Sequence, residues 1–125
     1  MSKGRYFQLF SSLSTKERTL CSDFLASPYY NSRPKLKKLH DTLTQLAELG
    51  IEISKDVLFK KAFKGVSFTD QEIRHLLSYY SKCLKKFLAL QEWEADDHNQ
   101  RYLLCRSLRK RELNKLFEGE WETAL

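Results

Sequence analysis

The sequence predicts an all-α protein, an irregular or orthogonal bundle of about five helices in a single domain spanning residues 1–125. Three observations carry this expectation. Apolar residues recur at helical spacing in several long segments, capping residues stand where those segments begin, and glycine or proline stands where most of them end. Only Ile51-Glu52-Ile53 alternates as a strand would. With no second strand candidate to pair with it, that tripeptide reads as an extended connection.

Tyr6, Phe7, Leu9, Phe10 and Leu13 form the first apolar cluster and suit a short helix. The next helix starts at Ser14, whose hydroxyl can accept a backbone N–H while Glu17 reaches back, the reciprocal capping box. Leu20, Cys21, Phe24 and Leu25 give it one buried stripe, and Pro28 stops it. The segment Ser27 to Pro34 is a connection. Pro34 suits the first turn of the following helix, where its missing N–H costs nothing. That helix places Leu36, Leu39, Leu43, Leu46 and Leu49 on one stripe and ends at Gly50.

Ser54 caps a short helix carrying Val57, Leu58, Phe59, Ala62 and Phe63, which Gly65 ends. The strongest local signal is Phe68-Thr69-Asp70-Gln71-Glu72-Ile73. Thr69 and Glu72 make a capping box, and Asp70 favours the positive helix end. The long helix opened there carries Ile73, Leu76, Leu77, Tyr80, Cys83, Leu84, Phe87 and Leu88 on one face. Acids at Glu92, Glu94, Asp96 and Asp97 mark a boundary, since carboxylates suit the start of a helix and not its end. Asp97 and Gln100 resemble another capping box. The final main helix should carry Tyr102, Leu104, Cys105, Leu108, Leu116 and Phe117 and end at Gly119. At Trp121 to Leu125 an apolar helical pattern starts again, which predicts the front of a longer helical array.

Composition limits the function classes. Hydrophobic residues at 42% and charged residues at 30% exclude the apolar-poor signature of disorder. No apolar run is long enough for a signal peptide's central region or a membrane helix. Three widely separated cysteines, Cys21, Cys83 and Cys105, each lie beside apolar residues and read as reduced core thiols, so a cytoplasmic location is expected. The histidines, His40, His75 and His98, have no zinc-finger spacing to any cysteine and are expected at surfaces or helix boundaries. Glycine-rich phosphate loops are missing too. No catalytic residue, metal site or cofactor is therefore expected.

Charge is distributed in blocks. The net charge is +6. Residues 1–62 hold 11 Lys and Arg against 6 Asp and Glu, and residues 63–125 hold 11 against 10, so the first half is the more basic. Arg74 to Lys86 and Arg101 to Arg111 contain only basic charges. Two clusters, Lys35, Lys37 and Lys38 and then Arg106, Arg109, Lys110 and Arg111, are candidate surfaces for nucleic acid or an acidic partner. The helix, turn and helix around residues 55–90 read as a degenerate helix-turn-helix, in which Asp70 and Glu72 would face phosphates unfavourably. Tyr29 and Tyr30, in a proline-flanked loop, and Trp121 and Leu125 near the end are candidate protein contacts. The two tyrosines can equally plug a gap between helices.

The succession Leu13-Ser14-x-x-Glu17, Phe24-Leu25-x-Ser27-Pro28-Tyr29-Tyr30-Asn31, Leu58-Phe59-Lys60-Lys61-Ala62-Phe63 and Arg74-His75-Leu76-Leu77-Ser78-Tyr79 resembles the N-terminal region of a family of long, uncharacterised bacterial all-helical proteins. Phe is common in that family where Tyr30 stands here. The resemblance spans most of the chain and implies an all-helical fold and a longer parent chain. It implies no activity, cofactor or binding residue. The expected function is a non-enzymatic helical interaction or scaffold module that docks a protein partner or the remainder of a longer chain, with no membrane role. The alternative is a nucleic-acid-binding domain that uses the basic helices.

Overall fold

The computed structural model describes residues 4–124, and these fold into seven α-helices with no strand. They are α1 (Arg5–Ser11), α2 (Thr15–Ala26), α3 (Pro34–Glu48), α4 (Lys55–Ala62), α5 (Asp70–Glu94), α6 (Asp97–Lys110) and α7 (Asn114–Ala124). The fold is all-α, as its periodicity predicts. Residues 51–53 form an extended connection that inserts Ile53 into the core.

Helix starts follow their local chemistry. Ser14 accepts from the Glu17 N–H at 3.1 Å while the Glu17 carboxylate accepts the Ser14 N–H at 2.8 Å. Thr69 and Glu72 repeat the pair at 3.1 Å in both directions. Ser54 accepts from the Val57 N–H, and Pro34 occupies the first turn of α3. Gly50 stops α3 with φ at 70°, its N–H bonding back to Ala47 and that of Ile51 to Leu46, a Schellman closure.

Four local expectations are corrected. The final helix is two helices, because Glu112 takes φ of 60° and closes α6 with the bonds Glu112 N–H to Arg109 and Leu113 N–H to Leu108. Those bonds repeat the closure at Gly50, so glutamate stands where glycine is preferred. Gly119 lies inside α7 and ends nothing. The cap of α6 is Asp96, which accepts from the Asn99 N–H at 2.9 Å, while Gln100 reaches back to the carbonyls of Trp93 and Glu94 at the end of α5. Leu49, assigned to the α3 stripe, is the C-cap and is exposed.

The chain divides into two compact units, Met1–Phe87 and Leu88–Leu125, with the boundary inside α5. The first has a full interior. Phe10, Leu36, Leu39, Leu43, Leu46, Leu58, Tyr80, Leu84 and Phe87 are buried there, drawn from α1, α3, α4 and α5. The connection between α4 and α5, residues 63–69, is filled by Phe63 and Phe68, whose rings meet at 5.2 Å and both contact Phe59. The second unit is different. Cys105 is its one buried hydrophobic residue among those described, while Trp93, Tyr102, Leu104, Leu116 and Trp121 remain exposed.

Candidate functional sites on the two units

At the centre of the first unit, four elements meet through one side chain. His40 on α3 is fully buried. Its Nε2 lies 2.7 Å from the Arg18 carbonyl of α2, and its Nδ1 lies 2.7 Å from the Tyr80 hydroxyl of α5. A carbonyl can only accept, so Nε2 carries the proton and donates to it, and Nδ1 accepts from the Tyr80 O–H. Phe10 of α1 meets the imidazole edge-on at 5.8 Å, and the Arg18 guanidinium lies 4.4 Å over the Phe10 ring. Burial pushes the His40 pKa down and the Tyr80 pKa well up, so both stay neutral around neutral pH.

Sequence reasoning placed His40 at a surface or boundary. The overlooked signal is its spacing: position 40 lies four residues after Leu36 and three before Leu43, on the buried stripe itself. With both nitrogens engaged and no exposure, His40 serves as a structural tie. Cys21 is equally buried, and desolvation pushes its thiol up to about 12, which is the opposite of what a nucleophile requires. Among the described residues, no three His, Cys, Asp or Glu side chains are placed to hold a metal ion.

The proline-flanked loop is also built for structure. Asn31 donates through Nδ2 to the carbonyls of Leu25, at 2.8 Å, and Arg33, at 3.0 Å, and its Oδ1 accepts the Arg33 N–H at 3.0 Å. It thereby latches the end of α2 to the start of α3. Tyr30 stacks on Phe24 at 4.8 Å and closes that end of the core. Tyr29 meets Tyr30 edge-on and is 86% exposed, so the two tyrosines divide the roles of plug and surface residue between them.

The two basic clusters foreseen in the sequence belong to different units. Lys35, Lys37 and Lys38 line α3, where Lys37 pairs with Asp41 at 2.7 Å and Lys35 lies 5.6 Å over the Phe68 ring. Asp41 also accepts from Ser22 at 2.7 Å, which joins α2 to α3. Arg106, Arg109 and Lys110 lie on α6 with Arg111 as its C-cap, and Arg109 sits 5.7 Å from the Phe117 ring of α7.

A third basic site was visible in the sequence only as the α5 block. In the first unit a groove of about 610 Å³ is lined by Arg5 of α1, Lys55 of α4, and Arg74, Ser78, Lys82 and Lys85 of α5. On α5 those positions fall at steps of four, four and three, one face of the helix. Arg5 and Lys55 join it only through tertiary folding, so no run of sequence announces the cluster. No carboxylate lines this groove, and the ion pair of Lys37 with Asp41 is the only one among the described residues.

The second unit holds a groove of about 720 Å³ lined by Trp93, Leu103 and Leu104, with Asp97, Arg101 and Glu120 at its polar margins. Arg101 donates to the Thr123 carbonyl of α7 at 3.2 Å, and Trp121 stacks nearly parallel on Phe117 at 6.0 Å. Trp121 remains 43% exposed, and Leu125 lies outside the described residues. Among the described residues, no helix is long and apolar enough to cross a membrane. No family model, curated protein or solved structure matches the chain.

Proposed function

We propose that this chain is a non-enzymatic helical interaction module that docks protein through the apolar face of its second unit. One observation carries the reading. In residues 88–124 the apolar side chains are only partly covered by α6 packing on α7: Leu104, Leu116 and Trp121 remain exposed, and Cys105 is the one buried hydrophobic residue among those described. Helices whose apolar stripes stay in water gain stability when a partner covers them, and contiguous exposed apolar surface marks such contacts.

The occupant this face fits is a second copy of the chain. A two-fold interface pairs one patch with itself, so charge beside its apolar centre favours association only where the patch carries both signs. The second unit does so, with Arg101, Arg106 and Arg109 on α6 and Glu118, Glu120 and Glu122 on α7. The neutral buried His40 and the inert Cys21 thiol support the non-enzymatic part of the reading.

Sedimentation velocity over a concentration series from micromolar to several hundred micromolar tests it. The expected result is a shift from monomer to dimer, abolished by the paired substitutions Leu104→Glu and Leu116→Glu with helix content unchanged by circular dichroism. A chain that stays monomeric across the series contradicts self-docking.

A further inference from the structure

We propose that the basic groove of the first unit is a binding site for the phosphodiester backbone of a nucleic acid, separate from the protein-docking face of the second unit. Five cationic residues, Arg5, Lys55, Arg74, Lys82 and Lys85, line it from three helices, and all five are exposed. None of the five is spent on an ion pair among the described residues. Concentrating like charges with no carboxylate between them costs self-repulsion, which a polyanion relieves while releasing its own condensed counterions.

The remaining lining selects among anionic partners. Its apolar members, Tyr6 and Leu77, are both buried, so the groove offers nothing to insert into the acyl boundary of a membrane. It presents no exposed aromatic anchor of the kind that dominates protein interfaces or stacks unpaired bases. What is left is recognition of phosphates by charge, with the exposed Ser78 hydroxyl as an added donor. The stripe on α5 from Arg74 to Lys85 covers about 16 Å of helix at ~1.5 Å per residue. An elongated row of this kind suits a chain of phosphates better than a single anion. It also leaves the acidic first turn of α5, with Asp70 and Glu72, outside the groove lining.

Fluorescence anisotropy with labelled DNA duplex and labelled single-stranded RNA, titrated from about 50 to about 200 mM salt, tests the site. Five phosphate contacts give a log–log salt slope of about −4.5 on duplex and about −3.5 on single strand, so affinity for duplex falls about 500-fold over that range. Binding to either polymer supports the site, and the slope tells which backbone is held. The triple substitution Arg74→Ala, Lys82→Ala and Lys85→Ala should reduce the duplex slope to about −2. The control Lys35→Ala with Lys38→Ala, which removes charge from α3, should leave the slope near its starting value. Absence of binding at the lowest salt overturns the proposal. So does an equal loss in both variants, which would reduce the effect to net charge, or equally tight binding to phosphatidylserine vesicles.

Discussion

Replacing His40 by alanine should destabilise the first unit by about 3 to 5 kcal/mol, read from urea unfolding followed by far-UV circular dichroism. The substitution leaves the buried Tyr80 hydroxyl without its acceptor, removes the donor to the part-buried Arg18 carbonyl, and opens a cavity beside Phe10. Tyr80→Phe removes only the donor to Nδ1 and should cost about 1 to 3 kcal/mol. The same imidazole gives stability a pH dependence. Burial lowers its folded pKa, so the unfolded chain takes up a proton at a higher pH than the folded one does. Stability is therefore full above the unfolded value of about 6.5 and declines as pH falls from there toward the folded value, at no more than about 1.4 kcal/mol per pH unit. His40→Gln should flatten that decline between about pH 7 and about pH 5, above the range in which most carboxylates titrate. An unchanged slope in the variant would assign the acid sensitivity elsewhere.

The second large effect contrasts the two units. Leu43 lies at the centre of α3 with no exposure, so Leu43→Ala should cost about 3 to 5 kcal/mol through lost transfer energy and an unfilled cavity. Leu116 on α7 is 60% exposed, and Leu116→Ala should cost under about 1 kcal/mol in the dilute chain. Both removals delete the same atoms from helices of ordinary sequence. Only the surroundings differ, so the ratio of the two costs reports how unevenly the interior is shared. Comparable losses at both positions would mean that α7 is packed as tightly as α3.

How much of this was legible in the sequence follows from the range of each interaction. The starts of α2, α4 and α5 depend on side chains within three residues of one another, at Ser14, Ser54 and Thr69, and local sequence specifies them. Gly50 announces its left-handed turn because glycine reaches that conformation without strain. Glu112 adopts the same conformation with no such signal, held by its own N–H bonding to Arg109 and that of Leu113 to Leu108, at a cost of about 1 to 2 kcal/mol, which is why one expected helix is two. The candidate sites divide the same way. Trp121 stands out in the sequence because its pattern is local. The basic groove needs Arg5 and Lys55 carried to α5 by folding, and His40 needs Arg18 and Tyr80 brought from 22 and 40 residues away. Long-range partners leave no mark on a helical wheel.

Residue-resolved native-state hydrogen exchange tests the central claim, that a well-packed first unit carries an under-packed second unit whose apolar face awaits a partner. In dilute solution the amides of α3 and of α5 up to Phe87 should exchange only through global unfolding, while those of α6 and α7 open at far lower free energy. Concentrating the chain should raise protection in α6 and α7 selectively. Equal protection of α3, α6 and α7 in the dilute chain would contradict the account.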